Sequence, residues 1–267
     1  MVAIVLASIA QSGKTNHRKR KKEKPKMAAK KYFVTIDTET TQDGKVADIG
    51  IVVSDRKGNI HHEAGILIGD FFSDRESHPL FHVYGDKNDI FSAASLPKRY
   101  AAYEQMLQDG RRVLASVGAV NRFLSKVKAK YNPTLTAYNL AFDSNVMDNS
   151  GIIANELFPD SFCLWHASVA KWGNTKAFKQ FALENHFFGN RTNKTGHMGI
   201  KTNADVMAKY LLGIGLPDEP HTALEDAKFY EVPILTALVK NTSPKEYMSP
   251  PPYNYRAFAV RDHFKVK

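Results

Sequence analysis

Tyr32-Phe33-Val34-Thr35-Ile36-Asp37-Thr38-Glu39-Thr40 is a β-branched and aromatic run that ends on two carboxylates. Charged residues precede it and Asp43-Gly44 follows, the pattern of a strand closed by a turn. Residues two apart on a strand project from the same face. Asp37 and Glu39 therefore share one side at the strand's carboxyl end, where α/β folds tend to bind ligands. Two like charges this close raise each other's pKa unless a cation is shared between them. Taken alone, the pair is equally well explained as two solvated acids at an exposed strand end.

Outward from this strand, residues 46–54 read as a second strand and 59–68 as a third, with Lys57-Gly58-Asn59 as the turn. The three form a meander. Residues 70–110 read as an irregular, aromatic-rich insert (Phe71, Phe72, Phe81, Tyr84, Phe91, Tyr100, Tyr103). Most of these rings are expected in the core, with stacking on unpaired bases as the functional alternative. Val113, Val117, Val120, Leu124 and Val127 recur at spacings of three and four, which predicts a helix over 112–130. Residues 134–138 read as a strand, 140–148 as a helix and 162–165 as a short strand. Helices are expected over 177–184, 203–212 and 223–239. Strands first, then alternating helices, predict an α/β fold with a mixed five-stranded sheet flanked by helices.

Composition limits the function classes. With 43% hydrophobic and 24% charged residues, the 267-residue chain is neither wholly disordered nor fibrous. It has no apolar run near the roughly 20 residues of a membrane-spanning helix. Its one cysteine, Cys163, excludes an internal disulfide or a cysteine zinc cluster and fits an intracellular setting. The net charge of +10 is concentrated in residues 14–31, which hold ten Lys or Arg and one acid, Glu23. The rest of the chain holds 27 bases against 26 acids and is nearly neutral. Basicity is thus a property of an N-terminal tail, residues 1–30, expected to be disordered. Its functional readings are sequence-independent phosphate contact or, in a eukaryotic cell, a nuclear import signal. Apolar residues 2–10 precede the charge, the reverse of a secretory signal. Ser12-Gly13-Lys14-Thr15 lacks the first glycine of a P-loop, because Ser8 stands there. Met27 is an alternative start. Pro250-Pro251-Pro252 marks the passage into a C-terminal extension, residues 241–267.

Two further segments carry chemistry. In Asn139-Leu140-Ala141-Phe142-Asp143, Asn139 reads as a helix N-cap, with Asp143 in the first turn. Such an acid is also common as a partner of the helix dipole. In His221-Thr222-Ala223-Leu224-Glu225-Asp226, Thr222 and Glu225 have capping-box spacing. Glu225 is therefore assigned to capping, His221 lies just outside the helix and Asp226 one turn in. A capped helix beside a surface histidine is the structural alternative.

In order, Asp37/Glu39, Asn139/Phe142/Asp143 and His221/Asp226 resemble the D-x-E, N-x-x-F-D and H-x-x-x-x-D motifs of the DEDDh exonucleases. This is the DnaQ-like 3′–5′ exonuclease family that includes RNase T. The resemblance runs from about residue 32 to 238. It departs at Gln42, often Gly in the family, and at Asp48, usually Glu.

The resemblance implies a ribonuclease H-like fold and two divalent metals, Mg²⁺ with Mn²⁺ as substitute. Asp37, Glu39, Asp143 and Asp226 would be the metal ligands, with Asp37 shared by both ions. His221 would be the general base, and Thr40, Asn139 and Phe142 would contact the terminal nucleotide. The implied substrates are the 3′ ends of DNA or RNA, single-stranded by expectation, cut to nucleoside 5′-monophosphates. The competing expectations are a catalytically idle nucleic-acid-binding module, or a proofreading partner of a polymerase. Lesser features are Arg191, Lys194, His197 and Lys201, a loop that could hold a substrate backbone or be merely solvated. His61-His62 point opposite ways on a strand, Cys163 and Trp165 are expected in the core, and His166 is expected to be structural.

Overall fold

The computed structural model describes residues 32–85, 89–192, 198–240, 242–250 and 259–260. The basic tail, Ser12-Gly13-Lys14-Thr15, Met27 and most of the C-terminal extension lie outside them. Strand β1 (Tyr32–Thr40) pairs antiparallel with β2 (Val46–Asp55) and parallel with β5 (Thr134–Ala137). Strand β3 (Ile60–Ile68) pairs antiparallel with β2 and parallel with β4 (Val113–Ala115), while β6 (Ser161–Cys163) runs parallel to β5. The sheet order is β4-β3-β2-β1-β5-β6.

The mixed sheet flanked by helices and the meander agree with the sequence expectation. The strand count does not: there are six, not five. The extra strand, β4, falls within the run expected to be helical. Val113 and Val117 have helical spacing, but Ser116 between them is an N-cap whose hydroxyl oxygen accepts the Ala119 N–H. The helix therefore begins later, Val117–Tyr131, and Val113 stays on an edge strand. The insert also holds a helix where none was expected, Leu96–Gln108, with a proline in its first turn. It buries only Tyr103 and Met106, too narrow a stripe to show as periodicity. Trp165 belongs to a short helix, Leu164–Ser168, rather than to β6, and Cys163 is only half-buried.

Alternation along β1 splits the core. Val34 and Ile36 pack with Val120, Leu124, Val146 and Met147 from helices Val117–Tyr131 and Leu140–Asn149. Phe33, on the opposite face, packs with Leu164, Phe178, Met207 and Leu238. Phe72, Leu80, Tyr103 and Met106 form a third cluster that fixes the insert against Ala47 and Leu67. Of the seven insert rings, most of which were expected in the core, only Phe72 and Tyr103 are buried; Phe71, Phe91 and Tyr100 are half-buried, and Phe81 and Tyr84 are exposed.

The Gly- and Asn-rich stretch expected as a loop contains a hairpin, β7 (Phe188–Thr192) with β8 (Met198–Ile200), joined by β9 (Ala259–Val260). Lys194, His197 and the side chain of Arg191 are outside the described set. Beyond residue 240, Tyr247 is buried against Phe33 and Phe162, at ring centroid distances of 6.2 and 5.0 Å.

One helical run crosses the Phe33 face: Ala223–Asp226, a π-helical turn Ala227–Glu231, then Val232–Lys240. The row on β2 facing it is Asp48, Gly50 and Val52, opposite Glu39, Asp37 and Thr35. A Cβ on Gly50 would lie 2.2 Å from the Ala223 carbonyl oxygen, so glycine is required for the helix to come this close. Asp48 accepts the Ala223 N–H at 3.1 Å and a bidentate pair from Arg112 at 2.9 and 3.0 Å. Arg112, fully buried and lying over Gly65, also binds Glu225. Glu225 is thus committed to Arg112 and not to the capping box expected for it. Thr222 holds the N-cap position without a side-chain cap, and Asp226 Oδ2 accepts the Thr222 N–H at 3.0 Å instead.

Candidate functional site

The first acid pair comes from the end of β1. Asp37 and Glu39 lie on the face under the Ala223–Asp226 segment, half-buried, as strand alternation requires. Thr38, pointing the other way, donates its hydroxyl to Asp143 Oδ1 at 2.8 Å and ties the start of helix Leu140–Asn149 to the strand end. Asn139 does occupy the N-cap position of that helix. Its backbone is left-handed (φ 106°), and its side chain makes no cap hydrogen bond. The turn is made by backbone geometry that asparagine tolerates better than most residues, not by the expected cap. His221 is also left-handed (φ 55°), directly after Pro220.

Glu39, His221 and Asp226 each present a ligand atom, all within 4.8 Å of one another. The pKa of Asp37 is raised well above the ordinary carboxylate range, by burial first and then by the charges of Glu231, Asp143, Glu39 and Asp226. Glu39 is pushed up to about 8, by burial and then by Asp48, with Arg99 opposing. Asp143 rises to about 7 through burial, offset by the Thr38 hydroxyl. Asp226 rises to about 9 through burial and the charges of Glu219 and Glu39. His221 is lowered by burial and by Arg99. Of the sequence-derived set, Glu39, His221 and Asp226 come together within 4.8 Å, and Asp37 and Asp143 are electrostatically coupled to that group.

The three expected nucleotide contacts separate. Phe142 stands beside Asp143 with its ring 47% exposed, free to stack. Asn139 is exposed. Thr40 is buried, and its carbonyl already accepts the Phe81 N–H at 2.9 Å, so the insert occupies that group.

Two acids escaped the sequence reading. Glu231 is 2% exposed, with Oε1 accepting the Tyr138 N–H at 3.1 Å and Oε2 unpaired. Burial and the charge of Asp143 raise its pKa well above the ordinary range. Five residues beyond Asp226, it would sit about 140° round a regular helix. The π-helical turn, closing over five residues, brings it back to the same side. Glu219, raised to about 7 by burial and Asp205, lies next to the same cluster. Neither stands in a motif, and only the unusual density of Glu and Asp over 218–231 could have marked them.

Asp226 Oδ1 and Glu231 Oε2 are buried carboxylate oxygens without a hydrogen-bond partner. Carboxylates packed this closely are either protonated or balanced by cations. A donor set of carboxylate oxygens fits hard divalent cations such as Mg²⁺ or Mn²⁺, and leaves the neighbouring His221 imidazole outside the ligand set. Among the described residues, no helix is long and apolar enough to cross a membrane.

No protein-family model and no curated protein matches this chain. Among solved structures, SSB/exonuclease I in complex with inhibitor CFAM aligns with a TM-score of 0.43 at 14% identity, over 82% of this chain and 43% of that one. A product-bound structure of exonuclease I aligns with a TM-score of 0.43 at 14% identity, over 82% of this chain and 45% of that one. Exonuclease X in complex with 5′ overhanging duplex DNA aligns with a TM-score of 0.30 at 14% identity, over 85% of this chain and 97% of that one. The chain spans less than half the length of the exonuclease I structures.

Proposed function

We propose that this chain is a divalent-metal-dependent 3′–5′ exonuclease of the DEDDh type. It hydrolyses terminal phosphodiester bonds of DNA or RNA, single-stranded by preference, and releases nucleoside 5′-monophosphates. The observation that carries this reading is the meeting of Glu39, His221 and Asp226 within 4.8 Å, with Asp37 and Asp143 in the same electrostatic cluster. Asp37, Glu39, Asp143 and Asp226 would hold two Mg²⁺ or Mn²⁺ ions, and Glu231 adds a fifth carboxylate to the recess. When bound, such ions stabilise the charge on the attacking and leaving oxygens of an in-line displacement.

The chain's own residues supply the remaining functions. His221 takes the proton of the attacking water. Its lowered pKa keeps the imidazole neutral, and so able to accept a proton, at neutral pH. A positioned base of this kind contributes about 10²–10⁴ in rate. Thr38 fixes the orientation of Asp143. Phe142 offers an open aromatic face to an unpaired base.

The test is a time course on matched DNA and RNA oligonucleotides labelled at the 5′ end, with Mg²⁺ and with chelator. Stepwise shortening of the labelled strand, abolished by chelator, is the expected result. A first product cut in mid-strand, or digestion that persists in chelator, refutes the proposal.

A further inference from the structure

Bordering His221 lies a cavity of about 330 Å³ lined by Lys98, Arg99, Tyr103, Met106, Pro220 and His221, among others. Its outer wall is the helix of the insert, which no motif assigns to the site. Two of the lining residues, half-buried Arg99 and buried Tyr103, each carry a buried polar atom without a partner, Arg99 Nη2 and the Tyr103 hydroxyl. Tyr103 is only 2% exposed. A buried donor without a partner is costly and calls for an explanation.

Arg99 is held in place by its neighbours. Its Nη1 donates to the Phe81 carbonyl at 2.6 Å, and its guanidinium lies over the Phe91 ring, 4.9 Å from the centroid. Phe91 in turn meets His221 edge-on, with centroids 4.8 Å apart. The free edge of the fork is thus left beside a site whose other charged groups are mostly carboxylates. Among the described residues, Arg99 makes no ion pair with any of them. A guanidinium held by stacking and by one carbonyl, with a second nitrogen unsatisfied, suits a phosphate oxygen. Lys98 adds a second positive charge, and Met106 and Ile90 give an apolar wall. The volume lies at the lower end of ligand pockets, roughly 300–1,000 Å³, which admits a single nucleotide.

We propose that this cavity is a phosphate-binding pocket for one nucleotide of the bound strand, with Arg99 Nη2 and the Tyr103 hydroxyl donating to the phosphate. Its assignment to a strand rests on the nuclease reading; its affinity for a nucleotide phosphate does not.

The experiment therefore uses the full-length chain in chelator, where no hydrolysis occurs. A nucleoside 5′-monophosphate, inorganic phosphate and the uncharged nucleoside are titrated calorimetrically into wild type, Arg99→Gln, Arg99→Lys and Tyr103→Phe. The monophosphate is expected to bind wild type, and the nucleoside not to bind measurably. Arg99→Gln should weaken the monophosphate roughly 10–100-fold, the scale of a lost charged hydrogen bond. Arg99→Lys, which keeps the charge, should lose less, and Tyr103→Phe should weaken binding with unchanged thermal stability. Inorganic phosphate that also weakens with Arg99→Gln identifies the anion as the recognised group. Monophosphate binding equal in wild type, Arg99→Gln and Tyr103→Phe overturns the pocket, as does a nucleoside that binds as tightly as the monophosphate. Nuclease assays in Mg²⁺ separate the two proposals. A chain that binds through Arg99 but never shortens a strand keeps the pocket and loses the nuclease. One that shortens strands while Arg99→Gln leaves KM and monophosphate inhibition unchanged loses only the pocket.

Discussion

Single side chains around the recess act through charge and hydrogen bonding. As the proposed base, His221 must be neutral to accept a proton, and burial with Arg99 lowers its pKa. The acid limb of the pH–rate profile in Mg²⁺ should therefore lie below about 6.5, the ordinary histidine value. His221→Ala should lower kcat about 10²–10⁴-fold and abolish that limb; a variant of wild-type rate would remove histidine from the chemistry. Thr38 points away from the acid pair of its own strand and donates to Asp143 at 2.8 Å. Outer hydrogen bonds of this kind are commonly worth about 10–100-fold in metal affinity or activity. Thr38→Val should raise the Mg²⁺ concentration for half-maximal activity by that order, with little change at saturating metal. An unchanged metal requirement would show that Asp143 needs no such support. None of this was visible along the chain except the motif residues themselves. Thr38 looks like any strand residue until the 105-residue gap to Asp143 is closed.

Between elements, the decisive contact is the seating of the Ala223–Asp226 segment on β2. Gly50 leaves no room for a Cβ against the Ala223 carbonyl, and Asp48 with Arg112 and Glu225 locks the segment in register. Gly50→Ala meets backbone, not a movable side chain. It should cost more than the about 1–3 kcal/mol usual for overpacking and should displace both His221 and Asp226. Urea unfolding would measure the loss, and a wild-type midpoint would show that the helix can retreat freely. Arg112→Ala leaves Asp48 buried and unpaired, and should destabilise by about 3–5 kcal/mol. If unfolding shows less than about 1 kcal/mol, the triad is not structural. Sequence reading caught the glycine-bearing strand and the helix but misassigned Glu225. Capping-box spacing is a local pattern, and the guanidinium that outcompetes it comes from 113 residues away.

At the scale of the whole molecule, the fold keeps together more acid than water alone would tolerate. Asp37, Glu39, Asp143, Asp226 and Glu231 all have folded pKa values above their ordinary ones. Between pH 5 and 9 the folded state then binds more protons than the unfolded state, so stability without metal falls as pH rises through that window. Thermal melts in chelator should show a declining Tm from pH 5 to 9. Added Mg²⁺ or Mn²⁺ should raise Tm most at the alkaline end, since a ligand of the folded state alone stabilises it. A metal effect that is flat with pH would mean that the carboxylates are not its ligands. The α/β class and the β1–β2–β3 meander could be read from the chain, because alternation and turn chemistry are short-range properties, whereas the five motif residues were picked out only by the resemblance of three spaced motifs to the DEDDh exonucleases. Tertiary structure alone decided that β4 completes the sheet and that the insert's helix walls the site with Arg99. It also decided that a π-helical turn swings Glu231 in beside Asp37. These depend on contacts between residues far apart in sequence, and on a local overwinding that periodicity cannot register.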